Sequence, residues 1–339
     1  RSSAASDVYK RQDYYREEMY FEIEFQEYLQ FKFRQQWMKL KAYANENGIQ
    51  IIGDIPIYVA MDSADTWANP WLFKLDEKNC PTQVAGCPPD GFSATGQLWG
   101  NPLYNWEVHR NSGYEWWIKR ISNCFRLYDV VRIDHFRGFD EYYAIPYGDK
   151  TAENGWWEKG PGIDLFRAIS ARLGDREIIA EDLGYMTDSV KQLVEESGYP
   201  NMKVIEFAFD ERDTGNASDY LPHNYPRNCV VYTGTHDNET LVSWLEDITP
   251  AERRQVREYL NNFRDSGKEL CQDLICLVMR SVANLCIIPM QDYLGLDNSA
   301  RMNQPSTLGK NWKWRLKEGQ FTKELQKEMK TLAVRYGRQ

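Results

Sequence analysis

The apolar positions of this chain fall into two rhythms. Short, nearly continuous runs rich in Ile and Val recur as "IQIIGDIPIYV", "VVRIDHF", "EIIAEDL", "MKVIEFAFD", "NCVVYTGTHDN" and "LCIIPMQDYL". Runs of this kind are how strands read when both faces are buried, as in a parallel sheet. Stretches of helical character separate them. Residues 14–47 are rich in Glu, Lys, Gln and aromatics, with Gly48 where a C-terminal cap belongs. Further helices are predicted over 113–129, 163–173, 187–197, 239–247, 250–265, 268–283 and 321–336. The segment 61–112 carries Pro, Gly, Asn and Trp without clear period, and is read as a functional loop or an inserted subdomain. Strand–helix alternation of this kind predicts an α/β fold. At 339 residues the length fits a (β/α)8 TIM-type barrel with inserted loops or subdomains.

Composition narrows the partners. The chain is 42% hydrophobic and 27% charged, as a soluble globular protein is. Its net charge of −9, with no basic cluster, argues against nucleic acid. No apolar run approaches a membrane span, so no membrane partner is expected. Seven scattered cysteines, an odd number without a C-x-x-C pair, point to reduced thiols in a cytoplasmic protein. Oligomeric state has no signal. Residues 1–12, "RSSAASDVYKRQ", have no apolar period and no apolar centre. They are read as a non-native leader, leaving 13–339 as the catalytic barrel.

The chemistry lies at the strand ends. Asp54, Asp134, Glu181, Asp237 and Asp292 each fall at or just after the end of a predicted strand. In a (β/α)8 barrel that rim is catalytic. In "VVRIDHFRGF" Arg132 and Asp134 alternate with apolar residues and share one face, where burial of charge is unfavourable. One reading is a buried ion pair that locks a strand end. A metal cluster is a second, since Asp, Glu and His bind cations, but no recognised ligand spacing is present. Neither metal nor cofactor is therefore expected. The third reading is glycoside chemistry. A retaining enzyme needs a carboxylate nucleophile and a carboxylic acid, about 5–5.5 Å apart. Neighbouring barrel strands can place Asp134 and Glu181 so. Arg132 would hold Asp134 charged, Glu181 would hold a proton, and Asp237 with His236 could hold sugar hydroxyls.

At this point the sequence resembles a known family. "RIDHFRGF", "AEDLG" and "YTGTHDN", in that order, are similar to the 4-α-glucanotransferases called amylomaltase or disproportionating enzyme, which are related to the α-amylases. "GDIPIYVAMDSADTWANP", "GCPPDGFSATGQLWGNPLYNW", "YLPHNYP" and "ARMNQPSTLGKNWKWR" extend the likeness over about residues 15–338. The resemblance implies a retaining transferase that moves α-1,4-glucan segments to the 4-hydroxyl of an acceptor glucan, through a covalent glucosyl–Asp intermediate. Asp134 would be the nucleophile, Glu181 the acid/base and Asp237 the transition-state stabiliser. Arg132 would bind the nucleophile, His236 the donor sugar and Asp54 a sugar near the scissile bond. Asn303 would bind sugar, and Phe92 and Trp99 would lie in a loop over the acceptor sites. His236 as a core histidine and Trp99 as plain packing stay open beside those roles.

The sequence departs from the family in two places. The family's first two barrel strands are not seen, so the chain is expected to be a C-terminal fragment. Gly91 stands where the family commonly has an aromatic residue. A hydrolase of the same clan and an inactive glucan-binding fragment are the alternatives to a transferase. The loop 86–106, with Phe92, Trp99 and Trp106, favours transfer because it can hold an acceptor and exclude water.

Overall fold

All six apolar runs form strands, and all six pair in parallel. The computed structural model describes residues 3–89, 93–184, 186–210, 217–263, 267–305, 307 and 309–338. The strands among them are β1 (Ile52–Ile55), β2 (Gln83–Cys87), β3 (Gln97–Pro102), β4 (Val130–Ile133), β5 (Glu141–Pro146), β6 (Trp156–Lys159), β7 (Ile178–Ala180), β8 (Asn201–Val204), β9 (Cys229–Tyr232) and β10 (Leu285–Ile287). The chain divides into two compact units, Arg1–Tyr199 and Pro200–Gln339.

In the first unit β1, β4 and β7 form a parallel sheet in that order. Asp54 is the register partner of Arg132, and Ile133 that of Ala180. Val130–Ile133 is buried at every position, as a strand covered on both faces must be. The helices Glu115–Leu127 and Ile163–Leu173 supply the cover. Trp117 and Ile121 of the first, and Leu165, Phe166 and Ile169 of the second, join Ile55, Val131, Ile133 and Ile178 in one core. The helix Asp188–Ser197 starts where the Thr187 side chain accepts from the Val190 N–H, and ends at left-handed Gly198.

A second sheet was not expected. β3, β2, β5 and β6 pair antiparallel, with a register shift between Val84 and Gly86. It gives the aperiodic segment 61–112 its order. Gly86 is required at the shift, because a Cβ there would lie 2.1 Å from the carbonyl oxygen of Gln97. The expected helix over 14–47 is present as Ser3–Glu18 and Tyr20–Glu46, and the backbone is helical from Ser3. Its later half is tied down by Trp37, whose Nε1 donates to the Leu127 carbonyl at 2.9 Å, and by Lys41, which pairs with Asp129 at 3.1 Å.

In the second unit β8, β9 and β10 form another parallel sheet. The helix Pro250–Leu260 opens on a capping box between Thr249 and Glu252 and stops at left-handed Asn261, short of the expected residue 265. Two predicted strands also end early. The run "MKVIEFAFD" turns into a 3-10 helix at Ile205, and Pro289 opens a short helix, Met290–Leu294, after β10. Asp292 therefore does not sit on an open rim as expected. It is 3% exposed. It accepts from the Thr233 hydroxyl at 2.6 Å and the Leu241 N–H at 2.9 Å. Among the described residues no helix is long and apolar enough to cross a membrane.

Candidate active site

Register brings the first group of site residues together. Asp54 lies on β1, Arg132 on β4, and Asp134 and Glu181 directly follow the paired residues Ile133 and Ala180. The Asp134 N–H donates to the Ile55 carbonyl at 2.9 Å, and the Glu181 N–H to the Ile133 carbonyl at 3.1 Å, so strand pairing continues into the acids. Arg132 is buried between two of them. Its Nη1 donates to both carboxylate oxygens of Asp54 at 2.7 Å and reaches Asp134 Oδ1 at 3.0 Å. Burial opposes its charge, but Asp54, Glu181 and Asp134 outweigh that and hold the guanidinium more firmly protonated than usual.

Glu181 sits in the opposite environment. It is 9% exposed. Its carboxyl is pushed up to about 7, first by burial and then by the charge of Asp134. Arg132 and two backbone N–H donors pull the other way. Those donors are His135, at 2.6 Å to Oε2, and Leu183, at 2.8 Å to Oε1. Two neighbouring carboxyls thus differ: Asp134 has a guanidinium beside it, and Glu181 has a raised affinity for its proton.

His135 stands in the motif "VVRIDHFRGF" but was not among the expected site residues, and it links three of these parts. Its φ of 53° is left-handed, which turns the chain sharply after Asp134. Its ring meets the indole of Trp99 edge-on at 4.8 Å. Burial pushes the imidazole down to about 3, so it is neutral. Trp99 is exposed and lies on β3 rather than in a loop, because its strand is part of the unexpected antiparallel sheet. Phe92 and Gly91 lie outside the described residues.

The second unit holds the other expected residues. His236 Nε2 lies 3.2 Å from Asp237 Oδ2, and the Asn303 side-chain amide donates to Asp237 Oδ1 at 2.5 Å. The Asn303 N–H returns to the His236 carbonyl at 3.0 Å, so the segment from "ARMNQP" is laced to the segment "THDN". Arg301, also missed, donates to the Asp237 carbonyl at 2.6 Å. The His236 ring lies 5.0 Å from that of Trp312, an exposed indole on left-handed backbone. The His236 ring is half-buried.

A family model described as 4-α-glucanotransferase matches residues 3–322. The chain belongs to the 4-α-glucanotransferase family. It is 48% identical over 326 residues to a 4-α-glucanotransferase of Clostridium butyricum, covering 96% of this chain and 66% of that relative. It is 50% identical over 325 residues to one of Streptococcus pneumoniae, covering 96% and 63%. The chain thus spans somewhat under two thirds of the length of these curated 4-α-glucanotransferases. Among solved structures, the amylomaltase from Streptococcus agalactiae in complex with acarbose matches with a TM-score of 0.92 at 41% identity, over 97% of this chain and 66% of that one. The fold is thus the α/β fold of the amylomaltases.

Of the nine site residues expected of a 4-α-glucanotransferase, Asp54, Arg132 and Asp134 form one bonded group in the first unit, Glu181 stands beside it within reach of the charges of Asp134 and Arg132, and Trp99 meets His135, whose N–H holds the Glu181 carboxyl. His236, Asp237 and Asn303 form a bonded group in the second. His135, Arg301 and Trp312 were missed because their contacts are a backbone turn, a hydrogen bond to a carbonyl remote in sequence, and ring contacts. The only sequence signal for them is position inside the motif blocks "RIDHFRGF" and "ARMNQPSTLGKNWKWR".

Proposed function

We propose that this chain carries the catalytic centre of a retaining 4-α-glucanotransferase acting on α-1,4-glucans. The observation that carries the reading is the contrast between two neighbouring carboxyls. Asp134 is paired with Arg132 at 3.0 Å, and Glu181 is pushed up to about 7 by burial and by Asp134. A double displacement requires such a pair.

In this reading Glu181 gives its proton to the glycosidic oxygen as Asp134 attacks the anomeric carbon. The bond to the leaving glucan breaks and a glucosyl ester on Asp134 forms. Glu181, now ionised, takes the proton of an incoming 4-hydroxyl, whose oxygen attacks the anomeric carbon and breaks its bond to Asp134, freeing the carboxylate. Arg132 orients Asp134 and supplies the countercharge. To Asp54 and His236 we assign contacts with sugar hydroxyls, to Asn303 the fixing of Asp237, and to Asp237 the stabilisation of the oxocarbenium-like transition state. Trp99 is assigned to the acceptor. We read the parallel strands as strands of a (β/α)8 barrel, because they run parallel with helical crossovers.

Incubation with maltotriose tests the reaction. A ladder of longer products is expected. Glucose and maltose alone would mean hydrolysis, and unchanged maltotriose with retained acarbose binding would mean a glucan-binding protein.

A further inference from the structure

The group in the second unit rests on an acid that has no role so far. β8 ends at Val204, and two residues on, Glu206 is 3% exposed. Its Oε2 accepts from the Asn238 side-chain amide at 2.9 Å. Asn238 Oδ1 in turn accepts from the Thr235 N–H at 3.0 Å and the Thr235 hydroxyl at 2.8 Å. The Thr235 Oγ1 accepts from the Asp237 N–H at 3.3 Å. An unbroken chain of hydrogen bonds therefore runs from Glu206 to the backbone of Asp237.

Steric contact repeats the message. A Cβ on Gly234 would lie 2.9 Å from Glu206 Oε1, so the carboxyl fills the space a side chain would need. That Oε1 is buried and has no hydrogen-bond partner among the described residues. The same loop is fixed at both ends by Asp292, through Thr233 and Leu241. Asp292 and Glu239 are the like charges facing Glu206, and Arg301 is the facing cation. Burial first, and Asp292 second, push the Glu206 carboxyl well above its usual range. A neutral carboxyl fits the geometry: one oxygen accepts from Asn238, and the other has nothing to accept.

We propose that Glu206 is a positioning residue for the His236–Asp237 pair. Its carboxyl, seated against Gly234 and bonded to Asn238, sets the loop conformation that aims Asp237. The inference takes the role of Asp237 from the function proposed above.

Two kinds of measurement test it on the same variants. Glu206→Gln keeps a neutral acceptor of the same shape, so kcat for transfer from maltotriose should stay within about threefold of wild type. Glu206→Leu and Asn238→Ala break the chain. Their kcat should fall about 10- to 100-fold with little change in KM, at temperatures well below unfolding. Crystal structures should show the 3.2 Å His236–Asp237 contact kept in Glu206→Gln and lost in Asn238→Ala. A role in stability alone predicts a lower melting temperature with unchanged kcat and an unmoved loop, and that result overturns the proposal. Should Glu206→Leu fail to fold, half-buried Asn238 carries the test. If the wild type transfers no glucan, the proposed function fails, and the crystallographic comparison still decides the positioning role.

Discussion

The backbone N–H of His135 donates to Glu181 Oε2 at 2.6 Å, which ties the acid/base candidate to the residue that follows the nucleophile candidate. The carboxyl is thereby oriented by backbone N–H donors, with Leu183 holding its other oxygen. Its proton affinity is then set by burial and by Asp134, and this has a consequence for pH.

Transfer activity should fall above about pH 7, as Glu181 loses the proton it must donate. In Glu181→Gln this alkaline limb should disappear. An activated donor such as a glucosyl fluoride, whose leaving group needs no proton, should recover more activity than maltotriose does. Equal proportional losses on the two donors would remove Glu181 from the acid role. Stability follows the same titration. A carboxyl held above its ordinary value stabilises the fold at low pH and loses that contribution as pH rises. Relative to Glu181→Gln, the wild type should lose roughly 3 kcal/mol between pH 4.5 and about 7.5, measured by denaturant unfolding.

Asp134→Asn should reduce turnover at least about a thousandfold, because an amide cannot form the glucosyl ester. Acarbose affinity, followed by calorimetry, should change much less. Retention of more than a few per cent of turnover would contradict the covalent role.

Trp99 presents an exposed indole whose edge is held by His135. Trp99→Ala should raise the KM for acceptor glucan about tenfold and shift products toward hydrolysis, while Trp99→Phe should keep most of the transfer. An unchanged ratio of transfer to hydrolysis would return Trp99 to plain packing.

Gly53 on β1 offers a test of the scaffold. A Cβ there would lie 2.0 Å from the Tyr128 ring, which packs edge-on against Trp37. Gly53→Ala should cost about 1–3 kcal/mol in denaturant unfolding, as overpacking does. Gly267→Ala, where nothing among the described residues lies within 4 Å of the added methyl group, should be close to neutral.

The parallel strands and the acids beside them were legible in the sequence for one reason. A strand buried on both faces needs a local run of apolar residues, and β4 and β9 carry their candidate site residues within or a few residues beyond such runs. The antiparallel sheet left no such trace. β3, "QLWGNP", and β6, "WWEK", are the outer strands of that sheet, each paired along one side only, so their residues are largely exposed or half-buried and carry no apolar run. Chemical type was equally local, and environment was not. Asp292 and Glu206 look in the sequence like Asp237 and Glu181, acids close after a strand. Only the tertiary structure buries the first two as fasteners of the His236–Asp237 loop, since burial and hydrogen bonding depend on what packs against a residue. The sequence alone determined that carboxyls, an arginine and a histidine lie at or just beyond the ends of strands. Packing decided which carboxyl faces a guanidinium, which keeps a proton, and which never meets solvent.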